Sequence, residues 1–306
     1  MKDAPALPIE DSSNIDLSTD LLSRVKAALD LPENLSADLA GLRGVYAAWC
    51  ARVPFDNIRK MISLRSGNGD ALPGLDAEDF FENWLANGSG GTCWPSSNAL
   101  YVLLRSLGFN ARRVGASMFD LGIINHGTIK VRLGDHDWMV DTSMLTNEPL
   151  PLNGEQYFGE SSVGAEVEPL DDTYMIWIDF VPLPNFVPCR LHIDPADTHL
   201  YYERYENFSR EQSPFNQRLY IRNSGPQGAS VLFGNLKFSR TDDGVAVREF
   251  TPDQLCAYLT DEAGVSASLV ERWAASGSLE STFDPANTVS PPEVTGVRPS
   301  LRRAVD

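Results

Sequence analysis

The sequence has no run of eighteen or more apolar residues, no C-x-x-C pair and no surplus of positive charge, with 42 Asp and Glu against 25 Lys and Arg. Each shortage excludes something. Without a long apolar run there is no candidate for a membrane-crossing helix, and the opening Met1-Lys2-Asp3-Ala4-Pro5 through Asp16 lacks the apolar core of a signal peptide. A cytosolic chain, neither secreted nor membrane-spanning, is therefore expected. The four cysteines, Cys50, Cys93, Cys189 and Cys256, lie far apart with no short spacing to histidine, which argues against zinc and fits a reducing compartment. A formal net charge of −17 leaves no cationic footprint for duplex DNA, RNA or an anionic membrane. An anionic co-substrate would need a local basic or amide-lined pocket that the whole-chain charge conceals. There is no internal repeat.

What is present suffices for a full core. With 306 residues, of which 42% are hydrophobic and 22% charged, two or three structural units are expected. Ser18 and Thr19 precede Leu21, Leu22, Val25, Ala28 and Leu29, a capped amphipathic helix that stops near Pro32. Leu39, Leu42, Val45, Tyr46 and Trp49 give a second helix up to Pro54. After a turn around Arg65 to Gly69, Asp76 leads a third through Phe80, Phe81, Trp84 and Leu85, closed by Asn87-Gly88. A glycine-rich approach, Gly88 to Thr92, then delivers Cys93 to the start of a helix carrying Leu100, Leu103, Leu104 and Leu107.

From Ala111 the period changes to that of strands. Arg113 to Phe119, Gly127 to Leu133 and Asp137 to Asp141 read as consecutive antiparallel strands, the last two turned at Gly134-Asp135. Residues 147 to 172 read as turn-rich and acidic. Tyr174 to Val181 and Arg190 to Ile193 resume strand character, and Tyr201 to Phe208 reads as helical or irregular. A hairpin of Ser230 to Phe238 and Val245 to Phe250, turned at Thr241 to Gly244, precedes a helix from Thr251-Pro252. Beyond about Ser276, Ser, Pro and Thr dominate and a loosely attached tail is expected.

A thiol attacks as its thiolate, and the N-terminus of a helix favours negative charge. Cys93 stands at such a start, with Gly90 and Gly91 allowing close backbone approach and Pro95 suited to a first helical turn. That feature alone describes a buried structural cysteine equally well. His126 and Asp141 change the balance, because two adjacent antiparallel strands would bring the start of the first beside the end of the second. His126 would then take the Cys93 proton while Asp141 holds the imidazole tautomer. Taken singly, His126 is a polar turn residue and Asp141 an Asx cap at a strand end. Cys50 and Cys256, on helical stretches, read as small buried hydrophobes. His136 sits between acids in a turn, and His192 and His199 follow Cys189 without zinc spacing.

Several separate segments together resemble the arylamine N-acetyltransferase family of transglutaminase-like cysteine enzymes. They are Val53-Pro54-Phe55-Asp56-Asn57-Ile58, Gly90-Gly91-Thr92-Cys93, and His126, 33 residues after Cys93, with Asp141 15 further on. Asn98, Leu107-Gly108-Phe109 and, more faintly, Asn207-Phe208 with Ser213-Pro214-Phe215 fall where that family carries similar residues. The resemblance implies an α+β fold with a cysteine-proteinase-like core: a helical N-terminal domain, an antiparallel β-barrel middle domain and an α/β C-terminal lid. Divided on this chain, residues 1–16 are a flexible segment, 17–109 the helical domain with the nucleophile, 110–200 the barrel with His and Asp, 201–275 the lid and 276–306 the tail. It implies catalysis by Cys93, His126 and Asp141, with acetyl-CoA or another acyl-CoA acylating the cysteine in a ping-pong cycle. A small-molecule arylamine, hydrazine or N-hydroxyarylamine then resolves the thioester, and backbone N–H groups including that of Cys93 hold the oxyanion. No metal or permanently bound cofactor is implied.

The departures from the family pattern are local. Ser89 stands where the motif has Arg and Asp56 where it has Glu, so an ion pair expected between those positions is absent. Thr142-Ser143-Met144-Leu145 replaces V-G-F-G after the acid, which would narrow or redirect the cleft. Trp94-Pro95-Ser96 replaces an aromatic-Glu pair. Arg112, Arg113, Arg190 and Arg204 are basic residues near relevant segments, but none has motif support for holding coenzyme. Beside arylamine acetylation stand a divergent amide-forming acyltransferase of specialised metabolism, a transglutaminase-like cysteine hydrolase, and a non-catalytic binding module.

Overall fold

Side-chain caps start the first helices. In the computed structural model, which describes residues 16–67, 69–153, 156–158, 164–170, 173–179, 186–195, 198–225, 228–241 and 244–287, Ser18 accepts the Leu21 N–H at the head of α1 (Thr19–Ala28). Asp38 accepts from Gly41 at the head of α2 (Leu39–Arg52). Strand β1 (Phe55–Asp56) and helix α3 (Ile58–Ser66) follow, then α4 (Ala77–Asn87), begun by Asp76 and ended by Gly88 at φ +70°, and α5 (Cys93–Ser106). The apolar stripes of α1, α2, α4 and α5 meet in one core, where Trp49 stacks on Phe80 at 5.9 Å and meets Phe81 edge-on at 6.1 Å.

Strands β2 (Asn110–Met118), β3 (His126–Leu133) and β4 (His136–Val140) form an antiparallel meander, as their alternation and turns lead one to expect. They join β5 (Leu150–Pro151), β6 (Gln156–Phe158), β7 (Gly164–Leu170), β8 (Thr173–Asp179) and β9 (Phe186–Pro195). The order is β5-β4-β3-β2-β9-β8-β7-β6, and the sheet curls until β5 meets β7, a nearly closed antiparallel barrel. Val114, Ala116, Val167, Ile176 and Leu191 fill it. Helix α6 (Thr198–Glu203), a π-helical turn (Arg204–Phe208) and α7 (Ser209–Gln212) lead to a second sheet. There β10 (Tyr220–Gly225), β11 (Gly228–Phe233), β12 (Leu236–Thr241) and β13 (Gly244–Glu249) continue outward from β1. Helices α8 (Pro252–Asp261), α9 (Ala267–Ala275) and α10 (Ser278–Phe283) pack beside α3. The fold class is α+β, as expected. Among the described residues no helix is long and apolar enough to cross a membrane.

Four places differ from the reading of the sequence. Helix α3 carries no capping signal, because the Asn57 side chain is used elsewhere: it donates to the carbonyls of Phe215 (2.8 Å) and Arg218 (2.7 Å) and accepts from the Tyr220 N–H (2.8 Å). Within the segment 147–172, β7 is a strand whose Ala165 and Val167 face inward, an alternation masked by Glu166 and Glu168. Ser230 to Phe238 is not one strand but the β11–β12 hairpin, turned at Gly234-Asn235 with Gly234 at φ +63°. Past residue 276, where a loose tail was expected, α10 is tied in: Thr282 is buried, and its hydroxyl accepts the Leu219 N–H at 3.1 Å. Residues 288–306 of that tail lie outside the described residues, as do 1–15 of the opening segment.

Candidate active site

The two segments that lie on either side of α3 and α4 in sequence form one structural unit at Cys93. Strand β1 runs beside the approach to the cysteine, bridging Phe55 to Gly91, with the Asp56 N–H donating to the Gly91 carbonyl at 3.1 Å. The Asp56 carboxylate accepts the Ser89 hydroxyl (2.9 Å) and the N–H groups of Gly90 (2.7 Å) and Ile58 (3.0 Å). Where the family motif has an Arg–Glu pair, this chain thus ties the loop with a hydroxyl–carboxylate bond. Gly90 is needed because a Cβ there would meet the Pro54 carbonyl oxygen, which is backbone and has nowhere to go. The close approach read from the glycines is to a neighbouring chain segment.

Asp56 is 1% exposed, and its burial outweighs the three donors and the charge of Arg59 to push its carboxyl up to about 6. A carboxyl raised above its unfolded value makes the fold lose stability as pH climbs from about 4 to about 6, with no further loss above. Relative to the Asp56→Asn variant, the unfolding free energy of the parent is expected to fall by about 3 kcal/mol across that window. Urea unfolding of both proteins from pH 4 to 7 checks this; a constant difference would refute it.

Cys93 is the first residue of α5, with Thr92 extended before it and Pro95 in the first turn. His126 opens β3, and Asp141 directly follows β4, so the β3–β4 pairing brings them together: His126 Nε2 lies 2.6 Å from Asp141 Oδ2. Both are buried. A carboxylate can only accept, so Nε2 carries a proton, and Nδ1 is the nitrogen left for Cys93, which lines the same cavity. Burial lowers the His126 pKa, but the Asp141 charge and hydrogen bond, with Cys93, outweigh it and lift the imidazole to about 10. Burial likewise opposes ionisation of Asp141, yet His126, the Thr128 hydroxyl and the Met144 N–H hold its carboxyl below the usual range.

Asp141 is fixed from several sides. Its Oδ1 accepts the N–H groups of Ser143 (2.8 Å) and Met144 (2.9 Å), and the Tyr46 hydroxyl donates to its carbonyl at 2.7 Å. Of the four residues that replace V-G-F-G, only Ser143 lines the cavity at Cys93; Met144 and Leu145 are buried in hydrophobic cores and Thr142 contacts Ser97 at 3.1 Å. The expected narrowing therefore rests on one hydroxymethyl group. Leu145 takes φ +50° where the pattern has glycine, a backbone conformation that costs a leucine about 1 kcal/mol or more.

The cavity holds about 650 Å³ and contains Cys93 and His126. Its walls are Phe55, Trp94, Phe119, Phe208, Phe215 and Tyr220, with Ser143, Ser209 and Glu211 among the polar residues. The weak likeness at Asn207-Phe208 and Ser213-Pro214-Phe215 was the sequence signal for this wall; Ser209 and the Lys60 behind it gave none. None of Arg112, Arg113, Arg190 and Arg204 lines the cavity. Arg190 pairs with Asp120 at 2.7 Å, Arg113 donates to Asn98 at 2.8 Å, and Arg204 lies 3.4 Å from Glu203. His136 and His199 are exposed away from it, and Cys50 and Cys189 are buried while Cys256 is half-buried.

A family model described as N-acetyltransferase matches residues 38–268. Among solved structures, the arylamine N-acetyltransferase from Salmonella typhimurium is 16% identical, with 85% of this chain and 100% of that one covered and a TM-score of 0.71. The enzyme from Mycobacterium abscessus is 19% identical, with 86% and 95% covered and a TM-score of 0.69. The third arylamine N-acetyltransferase from Bacillus cereus, described as having a Cys-His-Glu catalytic triad, is 17% identical, with 81% and 100% covered and a TM-score of 0.68. At these identities the likeness concerns the fold. No curated protein matches the sequence.

Proposed function

The chain belongs to the arylamine N-acetyltransferase family and is an acetyltransferase, and from that premise we propose that it carries an acyl group from acetyl-CoA or another acyl-CoA to a small-molecule amine through a thioester on Cys93. The observation that carries this reading is the cavity shared by Cys93 and His126, with His126 held by Asp141 at 2.6 Å. At neutral pH the Cys93 proton already resides on Nδ1 of His126, whose imidazole is raised to about 10, and in the first half-reaction the sulfur attacks the thioester carbonyl. The Asp141 carboxylate stabilises the imidazolium so formed. The Cys93 N–H belongs to the first turn of α5, whose N–H groups have no partner within the helix, and would donate to the oxyanion. The carbonyl reforms, the carbon–sulfur bond to coenzyme A breaks and its sulfur leaves as a thiolate beside the imidazolium; the amine then takes the acyl group. The aromatic walls suit a flat, apolar amine.

Incubating the protein with acetyl-CoA is expected to leave one acetyl group, on Cys93 and on none of Cys50, Cys189 or Cys256, by intact-mass and peptide analysis. Adding an aromatic amine should discharge it. A folded protein that no CoA thioester acylates would sink the proposal, and acylation by esters or peptides with indifference to CoA would mark a cysteine hydrolase instead.

A further inference from the structure

We propose that Ser209, positioned by the buried Lys60, takes the proton of the amine that resolves the Cys93 thioester, a relay separate from His126; this rests on the acyl-transfer reading above. Lys60 projects from α3 and is 2% exposed. Its ammonium donates to the Ser209 hydroxyl at 2.7 Å and to the Ser209 carbonyl at 3.0 Å. A lysine is placed in a protein interior at a high desolvation cost, and here the hydrogen bonds it receives in return go to a single residue of the cavity wall. Across the same 2.7 Å contact a neutral Lys60 accepts the Ser209 proton instead, which leaves the Ser209 oxygen open to a proton from the cavity it shares with Cys93 and His126.

The titratable and charged groups that face Lys60 are Cys93 on α5, Glu206 in the π-helical turn and Arg210 on α7, with the Tyr205 ring 5.9 Å from its ammonium. Glu206 is engaged by Arg210 at 2.7 Å and by the Leu72 N–H, and so does not pair with Lys60. Burial therefore prevails and brings the lysine down to about 7, where its neutral form is populated near neutral pH.

A second proton acceptor has work to do. Asp141 keeps the proton on the His126 imidazole, and that charge is needed to stabilise sulfur as it leaves. As the amine nitrogen bonds to the acyl carbon, the carbonyl becomes an oxyanion and the nitrogen becomes cationic. Its proton passes to Ser209 Oγ while the Ser209 proton passes to neutral Lys60. The carbonyl then reforms, the carbon–sulfur bond breaks, and Cys93 departs as a thiolate beside the imidazolium. Lys60 returns its proton through Ser209 to solvent when the amide leaves.

The test separates the half-reactions in the full chain, using acetyl-CoA and aniline, an amine already neutral at pH 6. Loading of Cys93 is followed by mass, and discharge by aniline is followed on the loaded enzyme from pH 6 to 9. Ser209→Ala keeps the backbone carbonyl that binds Lys60; it is expected to load within about twofold of the parent and discharge to aniline ~10- to 100-fold more slowly. The parent discharge rate should rise through about pH 7, a rise that Ser209→Ala and Lys60→Met both lose and Ser209→Thr retains. Equal slowing of loading and discharge, or discharge at the parent rate in Ser209→Ala, would overturn the relay alone. A parent that never loads would overturn the relay together with the reading it rests on.

Discussion

Cys93→Ala is expected to accept no acetyl group and to lose amine acetylation by a factor on the order of 10⁴ to 10⁶, what remains being the effect of binding alone. The substitution removes one sulfur atom from a residue 7% exposed at the start of α5. The N-terminal cap, the ties of Asp56 to Ser89 and Gly90, and the β1 bridge to Gly91 are all made by other atoms. The unfolding midpoint should therefore move little while turnover disappears. That separation matters, since a binding module with a structural cysteine predicts the opposite: no turnover in either protein. Turnover assays with acetyl-CoA and an aromatic amine, alongside thermal melts, decide it.

The second large effect is expected from Asp141→Asn, which should lower turnover by about 10³ to 10⁴ with the protein still folded. The asparagine Oδ1 can keep accepting from Ser143 and Met144, so the turn after β4 keeps its backbone bonds. What changes is the other arm. The amide nitrogen can only donate, so His126 Nε2 becomes the acceptor and the ring proton moves to Nδ1, the nitrogen facing Cys93. An imidazole in that tautomer cannot take the thiol proton.

The pH dependence of stability should change with it. In the parent, His126 is raised to about 10, so its contribution to stability is fully present below about 6.5 and is lost as pH rises through 10. With the carboxylate gone, burial is the dominant influence and the pKa falls, so that loss at alkaline pH should vanish from the variant. Unfolding at pH 6, 8 and 10 measures it. A variant with parental turnover would show that Asp141 has no part in orienting the imidazole.

Much of the fold was written in local patterns. The caps Ser18 and Asp76, the Asn87-Gly88 stop and the Gly134-Asp135 turn act over a few residues, so position in the chain suffices to read them. Helix α3 and strand β7 escaped for the complementary reason. Asn57 spends its capping groups on residues more than 150 positions away, and the inward alternation of β7 becomes meaningful only once the barrel gives it an inside. Within Ser230 to Phe238 the two-residue turn at Gly234-Asn235 leaves little mark in a β-rich stretch.

On the site, residue type and hairpin logic, together with the family-like segments around them, brought Cys93, His126 and Asp141 forward as candidates: two strands with a short turn have few registers open to them, and that register sets which ends meet. Lys60 and Ser209 are 149 residues apart and belong to no motif. Their contact, and the depth that makes Lys60 unusual, arise from packing α3 against the π-helical turn and α7. The buried setting of Asp56 is of the same kind. The sequence by itself determined which groups have chemistry to offer and which neighbours they meet along a strand or helix. Desolvation and contacts between distant segments exist only after the chain is packed, so only the tertiary structure decided which charges are strained and what surrounds the sulfur.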